Sequence, residues 1–371
     1  MNRERLERVL AIAGKELLGI RRDPKLLRIV FVAPLVQLMI FGYAVSTDVR
    51  NTRLFVVDHA RSAESRLLVE SMTSSGYYRV VGRSVRPRDL VAALDHGRAL
   101  TGLEIPPDYD ALLHDSRGAE VQLLVDGSNS NVATVALGYA EQIVRARALA
   151  VAGAAFQPPV DLRERAWYNP ALASRIFNVP AVIGSIMLLV SLLLTSLAVV
   201  RERELGTLEQ LMVSPLTPGE LIAGKTLPFA GIALVDLVLI TTVALLWFHV
   251  PFTGNFLLLL LASLLFLLPA LGLGLLISTV SNTQQEAFLG AFMLFLPAML
   301  LSGFMFPVSS MPALFRWLTL LNPLRHYLEI VRAVFLKAAG IDALWPQFVA
   351  LLLMGAGVIT VATTRFRKTV R

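Results

Sequence analysis

The sequence predicts an α-helical membrane protein with six transmembrane helices and an extracytoplasmic α/β domain inserted between the first and second of them. Three observations carry that expectation. Only 16% of the 371 residues are charged and mean hydropathy is +0.64, where soluble domains carry roughly a quarter charged residues. Apolar runs of spanning length recur, since a helix needs about 20 residues to cross the hydrocarbon. Between the first two of these runs, residues 47–175 change character and alternate strand-like with helix-like stretches.

Residues 1–26 place Leu6, Val9, Leu10, Ala13, Leu17 and Ile20 at helical spacing, with Arg5, Arg8, Lys15 and Glu16 largely off that stripe. A basic amphipathic helix just ahead of a span reads as an elbow lying on the inner leaflet. Asp23-Pro24 closes it. The first span covers 27–46. Lys and Arg outnumber acidic residues ahead of it, so the N-terminus is expected in the cytoplasm. The apolar run is too long for a cleavable signal and lacks its small-residue exit. Pro34 and Gln37 interrupt the span. A tolerated kink and an interhelical hydrogen bond account for them, and Gln37 is also a candidate for a substrate pathway.

In residues 47–175, strand-like runs (Arg53–Val57, Tyr77–Val81, Ala99–Ile105, Val121–Val125) alternate with helix-like ones (Ser62–Ser74, Pro87–Asp95, Pro107–His114, Asn129–Ala150). That rhythm predicts a small α/β domain with its own core. So long a segment is translocated whatever its charge, which puts it outside the membrane. Asp58 and Asp126 end strand-like runs, and His59, His96 and His114 share the domain. Carboxylates at strand ends serve as turn or helix caps, and the histidines lack ligand spacing.

The remainder, 176–371, holds five more spans at about 178–200, 227–247, 256–277, 287–306 and 347–364. An outer segment, 307–345, contains an amphipathic helix opened by Asn322 as N-cap and Pro323. Arg325, Glu329 and Arg332 follow at i, i+4 and i+7, beside an apolar stripe of Leu324, Leu328, Val331 and Phe335. Six spans return both termini to one side, and both are basic, as the positive-inside rule requires. The net charge of +7 is therefore assigned to cytoplasmic anchoring rather than to nucleic acid. With no cysteine, disulfides and thiolate metal sites are excluded.

The polar stretch 201–226, RERELGTLEQLMVSPLTPGELIAGKT, lies between two spans and must sit in water. Thr207 with Gln210 fits a capping box, each side chain satisfying an orphan N–H of the first turn. Thr217, Pro218 and Glu220 repeat the device, with proline where its missing N–H costs nothing. Ser214-Pro215 stops the first helix, leaving a short one, Leu208–Val213, across the inner ends of two spans. Leu205, Leu208 and Met212 share a face, while Arg201, Arg203, Glu204 and Glu209 stay solvated. The residues from Gly219 to Thr226 match the phosphate-binding pattern G-x-x-x-x-G-K-[ST]. The strand that should feed such a loop is missing, and the cap puts Gly219 already inside a helix, so no nucleotide site is expected here. Asp236, near the middle of the third span, is an intramembrane carboxylate. It suits a cationic substrate, a proton relay, or a protonated acid bonded to a neighbouring helix.

The run RERELGTLEQLMVSPLT resembles the cytoplasmic coupling segment of ABC-2-type exporter permeases. SNTQQEAF (281–288), LSGFMFPVSSMP (301–312) and LNPLRHYLEIVRAVFL (321–336) extend the resemblance over nearly the whole chain, in family order. The resemblance implies a permease subunit that pairs with a second one, identical or not, and docks a cytoplasmic ATP-hydrolysing subunit through the coupling helix. The positions matching that docking pattern are Glu202, Glu204, Gly206, Thr207 and Glu209, with Gly206 permitting the break before the cap. The segment holding Asn322, Pro323, Arg325 and Glu329 would re-enter the outer leaflet and help close an outer gate. ATP and Mg would belong to the partner, and this chain would bind no cofactor.

The large outer domain resembles the drug-efflux branch, with amphipathic or cationic substrates, membrane lipid as surroundings and a periplasmic adaptor as a further candidate partner. The expected location is the bacterial cytoplasmic (inner) membrane, with both termini inside. Export of a lipid or glycan is the nearer rival. A membrane-anchored sensor needs only one or two spans and an attached signalling domain. A proton-coupled transporter needs an internal repeat with matched ionisable residues, and Asp236 stands alone.

Overall fold

In the computed structural model the described residues are 3–44, 51–113, 115, 118–128, 130–152, 168–169, 173–206 and 216–369. The chain divides into two compact units, Met1–Ser46 with Ala166–Arg371, and Thr47–Arg165.

The helical unit begins with α1 (Arg3–Arg22) and α2 (Pro24–Leu27). A π-turn over Arg28–Val32 then leads into α3 (Ala33–Ala44). The wide turn has a local cause. Pro34 has no N–H and its ring crowds the preceding turn; the Ala33 N–H reaches back to the Arg28 carbonyl just ahead of it.

In the second unit, β1 (Thr52–Asp58), α4 (Ala63–Ser74), β2 (Tyr78–Ser84), α5 (Pro87–Asp95), β3 (Thr101–Ile105), α6 (Tyr109–Leu113), β4 (Gln122–Val125) and α7 (Ser130–Ala152) follow the expected alternation. His114 and Asn129, at the ends of two expected helices, lie outside the described residues. The sheet order is β2-β1-β3-β4, with β1 parallel to β2 and β3, and β4 antiparallel to β3. Leu54 and Val56 of the central strand pack with Leu68, Met72, Leu103 and Ile105. Val57, on the opposite face of the strand, is also fully buried, and apolar side chains on both faces are what a parallel strand covered by helices requires.

The helical unit resumes with α8 (Ser174–Glu204), α9 (Pro218–Leu246), α10 (Phe256–Val280), α11 (Gln284–Leu300), α12 (Ala313–Thr319), α13 (Pro323–Lys337) and α14 (Ile341–Thr369). Among the described residues, four helices are long and apolar enough to cross a membrane: α8, α9, α10 and α14. The chain is thus a mostly helical, multi-pass membrane protein.

The expected fifth span, 287–306, is shorter as a helix: α11 has 17 residues and ends at Leu300. Pro297 withdraws a donor near its end, Gly303 turns left-handed at φ +81°, and the Ser302 hydroxyl takes the Phe304 N–H at 3.2 Å. The apolar run continues past that stop, so hydropathy alone overshoots the helix. The outer segment also differs from expectation. It contains α12 as well as α13, and α14 already starts at Ile341.

The centre of this unit is α8, buried nearly all round from Val179 to Leu188. Helix α13 is wedged against it. Leu324, Leu328, Val331 and Phe335 are all fully buried, and Tyr327 stacks on Phe266 of α10 at 4.3 Å. The Tyr327 hydroxyl, which would be costly unpaired at that depth, lies 2.7 Å from Ser263 Oγ and 3.3 Å from Met187 Sδ.

Candidate functional site

Helix α8 continues past its apolar stretch to Glu204, and the chain breaks at Gly206, where φ is +69°. That left-handed backbone costs glycine little and any residue with a Cβ more. On the far side, α9 opens with a complete capping box. Thr217 Oγ1 accepts the Glu220 N–H at 3.3 Å, Glu220 Oε2 accepts the Thr217 N–H at 2.8 Å, and Pro218 sits at the first helical position. Thr207, Glu209 and the expected helix Leu208–Val213 lie outside the described residues.

Both flanks of that segment are tied to other elements. Arg203 Nη1 donates to the Ser281 carbonyl at 2.7 Å, and Glu204 Oε1 accepts the Gln284 N–H at 2.7 Å while its other oxygen takes the Gln284 side-chain amide. The turn they hold is itself capped, with Thr283 Oγ1 accepting the Glu286 N–H and Glu286 accepting that of Asn282. Against α9 lies α1. Arg5 and Arg8 each approach Glu220 at 3.8 Å. Lys15 Nζ is 2.8 Å from Glu202 Oε1.

The centre of the cluster is Lys225, 2% exposed. Its ammonium lies 2.8 Å from Glu16 Oε1, 3.4 Å from Glu202 Oε1 and 3.2 Å from the Ala198 carbonyl. Two lysines thus face two glutamates, the condition under which buried charge is tolerated. The residues are brought together by Gly224. A Cβ there would lie 2.7 Å from Ile12 Cβ, so only glycine lets α1 come this close to α9.

This arrangement re-reads the phosphate-loop lookalike. Gly219 to Thr226 is unbroken helix, Gly224 is a docking surface, and the Lys225 ammonium is taken up by carboxylates. Glu202, one of the positions matching the docking pattern, is turned inward and buried, whereas Glu204 stays exposed. The cluster of Lys15, Glu16 and Lys225 was missed. Its one local signal is a lone lysine entering an apolar helix, a charge that must find a partner.

Asp236 is fully buried, and neither carboxyl oxygen has a hydrogen-bond partner among the described residues. Gln37 is half-buried and lines an open groove beside Arg28, Val36 and Ile40. In the outer segment, Asn322 Oδ1 caps the Leu324 N–H at 3.1 Å and its amide donates to the Ala298 carbonyl at 2.6 Å. Pro323 occupies the first helical position. Arg325 pairs with Glu329 at 3.3 Å, and Glu329 also takes the Gln347 amide at 2.9 Å. Arg332 lies 3.7 Å over the Phe177 ring and donates to the Gly303 carbonyl.

In the α/β unit the strand-end carboxylates act as caps. Asp58 accepts the Arg61 N–H and the Ser65 hydroxyl, and Asp126 accepts the Ser128 N–H. His59 pairs with Glu104 at 3.3 Å. Among the described residues no group of three or more His, Asp or Glu is placed to hold a metal.

Comparison with known proteins gives the arrangement its context. Residues 25–364 match the ABC-2 family transporter protein. The probable multidrug ABC transporter permease YbhR of Escherichia coli (strain K12) is 33% identical over 364 residues, 98% of this chain and 99% of that one. The probable multidrug ABC transporter permease YbhS of the same strain is 35% identical over 334 residues, 89% of this chain and 88% of that one. The inner membrane transport permease YhhJ is 28% identical over 98% of both chains. The chain belongs to the ABC-2 family of transporter permeases.

Proposed function

We propose that this permease is the membrane half of an ATP-driven efflux pump, in which a separate cytoplasmic subunit hydrolyses ATP and pushes on residues 207–215. The observation that carries the reading, in a chain of this family, is that both flanks of that segment are anchored. Glu204 and Arg203 hold one flank to the 281–284 turn, and the Thr217–Glu220 cap with Arg5 and Arg8 holds the other. A push delivered between fixed flanks moves the spans rather than the loop.

The pump would have six spans per permease, with the 12-residue α3 and 17-residue α11 completing the count, and two permeases per complex. Both termini would be cytoplasmic in the inner membrane, with the α/β unit outside. The names of the relatives, multidrug transporter permeases, support drugs as cargo, and the reading takes these to be amphipathic or cationic. Asp236 is the candidate contact for a cation, because an enclosed carboxylate with no hydrogen-bond partner among the described residues gains most from one. Asn322, Arg325 and Glu329 would set the outer gate. The chain would bind no cofactor itself, and ATP with Mg would sit on the partner.

The test is efflux of a fluorescent cation from cells carrying the permease with its ATP-binding subunit. An ATPase-dead partner is expected to abolish efflux, and Asp236→Asn to slow it while the partner's ATPase activity persists. Efflux that survives the dead partner and stops with an uncoupler would sink the reading.

A further inference from the structure

A cavity of about 600 Å³ opens between α1 and the inner end of α8. Its lining is mixed: Ile20, Leu194, Leu197, Ala198 and Phe229 are apolar, and Lys15, Glu16, Asp23, Arg201 and Glu202 are charged. A cavity of this size lined by both apolar and charged side chains suits an amphipathic ligand.

The charges in the lining are not equally available. Lys15, Glu16 and Glu202 are used in the closed set with Lys225. Asp23 has an interaction of its own. The Arg201 side chain is exposed and makes no ion pair or hydrogen bond among the described residues. The same is true of Arg21 and Arg22 on the last turn of α1, one turn from the Gly19 and Asp23 edge. The free charge at the mouth is therefore cationic and calls for an anion.

A second observation fixes the other half of the ligand. Leu6, Leu10, Leu17 and Leu18 of α1 are exposed, so α1 turns apolar side chains outward while Val9 and Ile20 face the protein. An outward leucine face on a basic helix belongs at the depth where headgroups meet acyl chains. With α1 lying there, the cavity beside it would open at that depth.

We propose that this cavity is a binding site for an anionic phospholipid, with the phosphate on Arg201 and an acyl chain along Leu194, Leu197 and Phe229. The site rests on the reading that the 201–226 end faces the cytoplasm, which makes the lipid one of the inner leaflet. Basic pockets at the inner ends of spans hold anionic headgroups because Coulomb attraction and acyl burial act together. Occupied, it would wedge between α1 and α8 beside the flank of the coupling segment. Lipid composition would then tune the coupling.

The test is thermal unfolding of the delipidated, detergent-solubilised full chain, followed by tryptophan fluorescence. Dioleoylphosphatidylglycerol is expected to raise the midpoint by several degrees, since a ligand that binds only the folded state stabilises it by mass action. Dioleoylphosphatidylcholine should give less than half that shift, and glycerol phosphate without acyl chains none. Arg201→Gln should remove most of the difference between the two lipids, whereas Arg201→Lys should keep it.

Equal shifts from the two lipids, an unchanged difference in Arg201→Gln, or a full shift from glycerol phosphate alone would overturn the proposal. So would stabilisation by the lipophilic cation tetraphenylphosphonium in place of the anionic lipid. The orientation is read separately, by labelling Leu205→Cys with an impermeant maleimide in a chain that has no other cysteine. Labelling from outside would refute the inner-leaflet assignment and leave the lipid measurement standing.

Discussion

Lys225 is the residue whose role changes most between sequence and structure. A buried ammonium is expensive alone and tolerable only when matched, and here Glu16 and Glu202 match it from α1 and α8. Lys225→Met is expected to destabilise the chain by roughly 3 kcal/mol, because it removes the ammonium that Glu16 pairs with and leaves that largely buried carboxylate unmatched. Adding Glu16→Gln removes one stranded charge and should recover much of the loss. Thermal unfolding in detergent reads both, and a Lys225→Met chain as stable as the parent would contradict the account. The capping pair Thr217 and Glu220 was legible because its partners are three residues apart. The partners of Lys225 are 209 and 23 residues away, a separation no local pattern encodes.

At the scale of elements, α1 is amphipathic in a double sense. One side faces α9 through Ile12 and Gly224, while leucines face outward. Gly224→Leu is expected to push α1 off α9 at a cost of about 1–3 kcal/mol, since overpacking a close contact forces backbone to move. The readout is faster amide exchange through α1 with α9 unchanged. Helix α13 shows the complementary lesson. Its apolar stripe was readable from spacing, but its depth was not. The Tyr327 stack on Phe266 and its hydroxyl contact with Ser263 make it a wedge between α8 and α10 rather than a surface helix. The end of α11 escaped the sequence reading because Gly303 and Ser302 stop the helix while the residues remain apolar.

At the scale of the whole molecule, the α/β unit should answer to acid through its capping carboxylates. In the α/β unit the Ser84 hydroxyl beside Asp89, helped by Arg86, holds that carboxyl below its usual range. The Ser128 backbone N–H does the same for Asp126. A carboxyl depressed by folding stabilises fully above its unfolded pKa of about 4, and that contribution is lost as pH falls through the lower folded value. Acid is therefore expected to loosen α5 and the turn before α7 below about pH 4. Amide exchange compared between parent and Asp89→Asn checks it: the variant should lose the pH dependence in α5. An identical acid response in both would refute the assignment.

What this chain's sequence determined by itself is what local chemistry and composition decide. That covers membrane residence, the alternation of strand and helix in 53–150, the caps at Asp58, Asp126, Thr217 and Asn322, and the family. Each depends on neighbours a few residues apart or on a sum over many. The tertiary structure alone decided that Glu202 points inward, that the phosphate-loop letters are a helix docking surface, and that Asp236 is enclosed without a hydrogen-bond partner among the described residues. The reason is physical. The energy of a buried charge is set by what surrounds it in space, and in this chain those surroundings come from helices far apart in sequence.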